Sequence, residues 1–320
     1  MKSKLLLYAF LILSIISCSD DDPPSISPGA KNYLDEVLDL MQRNSINKKT
    51  IDWSDFKSKV YATVTGAQSI ADTYPGIAEA LRLLGDNHSI FTKPNGDVIY
   101  IRVIQCNAQA IVKPTIPKHI GYVKVNSFAG PSSDDAAIAF ARGIQNQIKS
   151  QDNADIKGWI VDLRSNLGGN MWPMLAGIGP ILGEVVVGYF IDPDGNQESW
   201  SYLDGASKIT DAIVTQLNDP YEVIVANPKV AVLLDNGVAS SGEVIAICFI
   251  GRENTKSFGS PTCGLSTANQ SFPLSDGSSL NLTVAHLADR NKNTFGNAIL
   301  PDQASTNATI IQDAITWIED

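Results

Sequence analysis

Gly158-Trp159-Ile160-Val161-Asp162-Leu163-Arg164-Ser165-Asn166-Leu167-Gly168-Gly169-Asn170 is the stretch on which the fold turns. Its first six residues form a largely apolar run, the pattern of a strand buried on both faces. A polar, glycine-rich turn follows, then an apolar helix from about Met171. The same succession occurs again downstream. Lys229 to Asp235 reads as a second buried strand. It leads into Asn236-Gly237-Val238-Ala239-Ser240-Ser241-Gly242-Glu243, with a helix from about Ser240. Two such units predict a layered α/β core with active residues at the strand ends.

Outward from this centre, residues 29 to about 92 have helical periodicity. Tyr33, Val37, Leu38, Leu40 and Met41 form one apolar stripe; Trp53, Phe56, Val60 and Tyr61 form a second. A third, Ile77, Leu81 and Leu84, stops at Gly85, a helix-end signal. Val98 to Gln105 and Gly121 to Val125 read as strands, and residues 132–149 return to helix. Residues 266–288 read as antiparallel strands turning at Ser275-Asp276-Gly277, and a last helix runs from about Ala308 to Ile318. No internal repeat is present.

The 320 residues are 44% apolar and 18% charged, a globular balance. The net charge of −10 and the lack of a long basic run argue against a nucleic-acid partner. The first 17 residues read as an address: Lys2 and Lys4 precede a mostly apolar stretch, Leu5 to Ile16, too short for an ordinary spanning helix. That stretch ends in Ile15-Ile16-Ser17-Cys18, which resembles a bacterial lipobox and implies lipidation of Cys18. Residues 18–28 read as a tether. Its Asp20-Asp21-Asp22 resembles the surface-export signal of Bacteroidetes-type lipoproteins. The expected location is therefore the cell envelope, with a lipid anchor in the outer membrane. Of the four cysteines, Cys106, Cys248 and Cys263 then remain, enough for one disulfide and one free thiol. His88, His119 and His286 are far apart in sequence and no Cys-x-x-Cys occurs, so a metal is not expected.

Three segments could carry chemistry. A serine where a buried strand turns into a helix exposes its hydroxyl, and the next N–H points outward from the positive helix end. In isolation Ser240 or Ser241 reads as a helix cap sooner than as a nucleophile, with Glu243 completing a capping box from Ser240. Gly168-Gly169 allows close backbone approach and unpaired N–H groups, as an oxyanion hole requires; it also fits an ordinary tight turn. In Leu84-Gly85-Asp86-Asn87-His88-Ser89, His88 is a base candidate or a surface residue past a helix end.

In this order and spacing, the three segments resemble the tail-specific (carboxyl-terminal processing) protease and tricorn-core family of serine peptidases. The family motifs read here as Leu84 with Asp86, His88 and Ser89; Leu163 to Gly169; and Ser240 to Glu243. A family-like Pro301-Asp302 follows. The resemblance spans about residues 29 to 305. It implies a core of the ClpP/crotonase type, residues 93–320, behind a helical N-terminal subdomain, residues 29–92. It also implies peptide-bond hydrolysis without a cofactor, on a peptide or protein substrate. Ser240 matches the nucleophile, His88 the general base, and the N–H groups of Gly169 and Ser241 the oxyanion donors.

Two departures matter. One branch of the family uses a Ser–Lys dyad, and here Gly259-Ser260-Pro261-Thr262-Cys263-Gly264 ends in Leu265, which accepts no proton. The tricorn-like branch uses a late glutamate, and Thr294 to Ile299 contains no acid; Asp289 is the nearest upstream carboxylate that could orient His88. Residues 93–120 are also too few for the PDZ domain many relatives carry. A non-catalytic peptide-binding lipoprotein on the same fold is the alternative reading.

Overall fold

The computed structural model describes residues 25–101 and 104–320; the signal segment, Cys18 and most of the tether lie outside that range. Three helices open the described chain: α1 (Pro28–Asn44), α2 (Trp53–Ala62) and α3 (Tyr74–Leu84). Each begins or ends on a residue with a local reason. The Ser27 and Asp52 side chains accept first-turn N–H groups of α1 and α2, and Gly85 stops α3 at φ +70°. Two short strands follow, β1 (Ile90–Thr92) and β2 (Val98–Tyr100). The strand expected over 98–105 ends at Tyr100, because β1 offers only three pairing residues.

The central units then alternate. They are β3 (Ile120–Lys124), α4 (Asp135–Lys149), β4 (Gly158–Asp162) and α5 (Met171–Leu182). An antiparallel meander comes next: β5 (Val185–Ile191), β6 (Gln197–Leu203), β7 (Ala206–Ile209) and β8 (Ala212–Gln216). The chain re-enters the centre through β9 (Lys229–Leu234), α6 (Ser241–Phe249) and β10 (Thr255–Gly259). It finishes with β11 (Thr267–Pro273), β12 (Ser279–Asp289), β13 (Gln303–Ala304) and α7 (Ile310–Glu319).

The strands form two sheets. One is all-parallel, in the order β13-β10-β9-β4-β3; the other runs β2-β1-β12-β5-β6-β7-β8, with β11 on β12. Side chains alternate between the faces of a strand, and the parallel sheet uses both faces. Val230, Val232 and Leu234 join Trp159 and Val161 against α4, α5 and α6; Ala231 and Leu233 join Ile160 and Phe258 against α7. The layer of α4–α6 is capped on its far side by Val187, Trp200 and Leu287 of the antiparallel sheet. The lead-in helices share a separate core with Phe91, Leu280 and Leu282. The architecture is the expected layered α/β core with a helical N-terminal subdomain. Among the described residues no helix is long and apolar enough to cross a membrane.

Candidate active site

β4 and β9 are neighbours in the parallel sheet, with Asp162 opposite Leu233. The loops leaving their C-terminal ends, 163–170 and 235–240, therefore meet. Ser240 closes the second loop at φ +53°, ψ −120°, a conformation that side-chain-bearing residues seldom adopt. Ser240 and Glu243 form a capping box at the start of α6. In that box Glu243 Oε2 accepts the Ser240 N–H at 3.0 Å. Glu243 is fully buried and also accepts from Thr262 Oγ1, Gly264 N at 2.9 Å and Leu265 N at 2.8 Å. Burial pushes its carboxyl above the ordinary value, against the pull of these donors.

The glycine pair is required by contact. A Cβ on Gly168 would lie 2.6 Å from Ala239 O and 2.9 Å from Ser240 Cβ; one on Gly169 would lie 2.1 Å from Phe128 O. Asn166 fixes the loop: its Oδ1 accepts Gly168 N at 3.0 Å, its Nδ2 donates to Val125 O at 3.1 Å, and its carbonyl accepts Ala239 N at 3.0 Å. Arg164 is buried beneath, forked onto Asp162 at 3.0 and 2.7 Å, and so serves the framework. Ser241 Oγ donates to Gly169 O at 2.7 Å, tying the two loops together. The N–H groups of Gly169 and Ser241 enter none of these bonds.

His88 arrives from the other sheet. Past Gly85, the Asp86 carboxylate accepts His88 N at 2.9 Å, Ser89 N at 2.6 Å and Thr283 Oγ1 at 3.1 Å, which fixes the turn on β12. Asn269 Nδ2 holds the His88 carbonyl at 2.8 Å, and His88 Nδ1 lies 2.9 Å from Thr267 Oγ1. His88, Thr267, Ser240, Ser241 and Gly169 all line one open cavity of about 700 Å³. The helices α5 and α6 both begin there, so their positive ends face it. A hydroxyl, an imidazole and a pair of N–H groups around one volume can carry out acyl transfer.

A sequence model described as peptidase family S41 matches residues 119–305 of this chain. The chain belongs to peptidase family S41. Over 297 residues this S41 chain is 29% identical to a nisin-resistance protein of Lactococcus lactis, an alignment covering 92% of the chain and 88% of that relative. The carboxy-terminal processing protease CtpA of Bacillus subtilis is 28% identical over 167 residues, 52% of this chain but 30% of that relative. A lipoprotein of known structure from Streptococcus agalactiae superposes with a TM-score of 0.71 at 23% identity, covering 92% of this chain and 97% of its own. The photosystem II D1 C-terminal processing protease superposes at 0.57 and 15%, covering 91% and 98%.

The S41 chain departs from the sequence expectation at Asp289. That carboxylate accepts Asn291 N, Asn293 N and Asn293 Nδ2 at 2.8–3.0 Å, and so is used in closing the turn after β12. Asp289 is absent from the cavity lining, and the position beside His88 Nδ1 belongs to Thr267. Sequence reasoning missed Thr267 and Asn269, since polar residues on a strand edge carry no local signal. Leu265, at the place of the dyad lysine, is buried against Ala239. Asp302 holds Ser257 through its N–H and hydroxyl at 2.8 and 2.7 Å and supports the sheet. Among the described residues no group of three or more His, Cys, Asp and Glu is placed to hold a metal.

Proposed function

We propose that this protein is a serine-type peptidase of the cell envelope. Ser240 Oγ attacks the scissile carbonyl carbon while His88 Nε2 takes its proton. The resulting oxyanion accepts the Gly169 and Ser241 N–H groups. Collapse breaks the C–N bond, the leaving amine takes the proton from His88, and water then hydrolyses the acyl-Ser240 ester. The observation that carries this reading is Ser240 itself. It is held in a strained conformation at a helix start and shares a cavity with His88. In the tautomer that donates Nδ1–H to Thr267, Nε2 bears the lone pair a base needs.

A fluorophosphonate reagent tests this directly, because it forms a phosphorus–oxygen bond only with an activated serine and expels fluoride. Ser240 should be labelled in the wild type, and His88→Ala should slow labelling by at least about 10²-fold. Wild-type protein left unlabelled under conditions that label other serine hydrolases would remove the catalytic reading.

A second reading is a peptide-binding lipoprotein of weak or no activity. The neutral Thr267 beside His88 favours it, since a hydroxyl orients the ring without stabilising its positive charge. The relative named for nisin resistance makes nisin a rational first substrate or ligand for either reading.

A further inference from the structure

A second cavity, of about 620 Å³, shares His88, Ser240, Asn269 and Asn281 with the first. The two volumes meet at the candidate catalytic pair, so a peptide crossing Ser240 would place side chains in both. Their linings differ. The first contains Glu198 with Trp172 and Phe190. The second has a mixed, uncharged lining: Ile104, Leu167 and Leu265 stand with Gln105, Asn107 and Asn281, and among the described residues no Asp, Glu, Lys or Arg lines it. Leu167 is 48% exposed at its rim. A charged side chain entering this volume would lose water with no Asp, Glu, Lys or Arg to pair with, whereas an uncharged one could bury surface on Ile104 and Leu265.

One wall is built unusually. Residues 104–109 have no helix or strand pairing. They are fastened at three points, each on a loop next to the candidate site. Cys106 is disulfide-bonded to Cys263, beside the Gly264 and Leu265 N–H groups that Glu243 holds. Asn107 donates through its N–H and Nδ2 to Asn236 Oδ1, both at 3.1 Å. Gln109 exchanges two 2.8 Å hydrogen bonds with Ser165 Oγ. Close packing reinforces this: a Cβ on Gly237 would lie 2.9 Å from Ala108 Cα. Ile104 and Cys106 in turn rest on Ala239, Cys263 and Leu265.

We propose that this disulfide-fastened strap, residues 104–109, is a specificity element: it forms the wall of a subsite that takes an uncharged side chain of the peptide on one side of the scissile bond. The inference rests on the peptide-cleft reading of the site, not on turnover. An irregular segment holds a side chain such as Ile104 in register only where something fixes it, and here the covalent link does so. The bridge therefore acts on which peptide is accepted, through Ile104 and Leu265, rather than on the reacting atoms.

The test measures peptide affinity by fluorescence anisotropy in a Ser240→Ala background, so it does not depend on catalysis. Peptides differing at one position at a time are compared. At one position Leu or Ile should bind at least about 10-fold tighter than Asp or Lys. Adding Cys106→Ala with Cys263→Ala should reduce that ratio to below about 3-fold while preferences at other positions persist. Ile104→Asp, which keeps the bridge, should bring Lys at that position up to or above Leu. A preference for uncharged side chains left intact by both changes, or lost equally at every position, overturns the proposal. Fluorophosphonate labelling of the wild type, run in parallel, reports on the nucleophile alone. A protein that is not labelled but shows the bridge-dependent preference keeps the subsite and loses the catalytic reading.

Discussion

Ser240 and Ser241 are adjacent in the chain but have different partners. The sequence assigns Ser241 only a backbone N–H; the structure gives its hydroxyl a bond to Gly169 O, across the gap where an oxyanion would sit. The two alanine variants should therefore differ in degree. Ser240→Ala should lower kcat by at least about 10³-fold, because the attacking atom is gone. Ser241→Ala loses one hydrogen bond of about 1 kcal/mol, and a tenfold rate change corresponds to about 1.4 kcal/mol. Its kcat should fall about 5- to 10-fold with KM unchanged. Steady-state kinetics on folded variants checks both, and the reverse order would shift the nucleophile by one residue. Ser240 was singled out in the sequence because Glu243 sets the register three residues on. Thr267 was not legible, because its role depends on β11 lying beside a turn about 180 residues earlier in the chain.

At the scale of elements, the first turn of α6 is a hub. One carboxylate, Glu243, gathers donors from 240, 262, 264 and 265, all N–H or O–H groups. Glu243→Gln would turn an amide N–H toward those donors and should cost about 1–3 kcal/mol. The pH dependence has a defined sign. The folded carboxyl titrates above its ordinary value of 4.5, mainly from burial, so between the two values folding takes up a proton. This group's contribution is complete below about 4.5 and is lost as pH rises through the folded value. Chemical denaturation across that window should show the slope in the wild type and a flatter curve in Glu243→Gln. Steep wild-type stabilisation with rising pH that the variant abolishes would contradict the assignment. Elements were readable in the sequence where burial is two-sided, as in Trp159–Val161 and Val230–Leu234. The meander β5–β8 was missed: it is half-exposed, and Ser199, Ser201, Asp204 and Lys208 interrupt any apolar run.

At the scale of the molecule, the candidate site exists only where the two sheets close on each other. Ser240 and Gly169 belong to loops of the parallel sheet; His88 and Thr267 belong to the antiparallel one. The sequence motifs forecast this meeting of residues about 150 positions apart, but not the layers that produce it. Attachment belongs to the same scale. A lipid on Cys18 would leave eight residues, 19–26, between it and Ser27 at the start of α1, a reach of about 30 Å when extended. Cys18→Ser should move the protein from the membrane to the soluble fraction of its host. An unmodified Cys18 in mass spectra of the native wild type would remove the anchor.

The Cys106–Cys263 bridge spans 157 positions, so it closes a ring that contains Gly169 and Ser240 and leaves His88 outside. A peptidase is exposed to its own activity, and the meander from β5 to β8 lies within that ring. A single backbone cut there leaves both fragments covalently joined through the two sulfurs. The nicked molecule separates into two pieces only on reduction. Such a ring also needs an oxidising compartment to close. In a reducing compartment the same cleft would lack its covalent tie, and 104–109 would rest on packing and on hydrogen bonds to Asn236, Ser165 and Asn307.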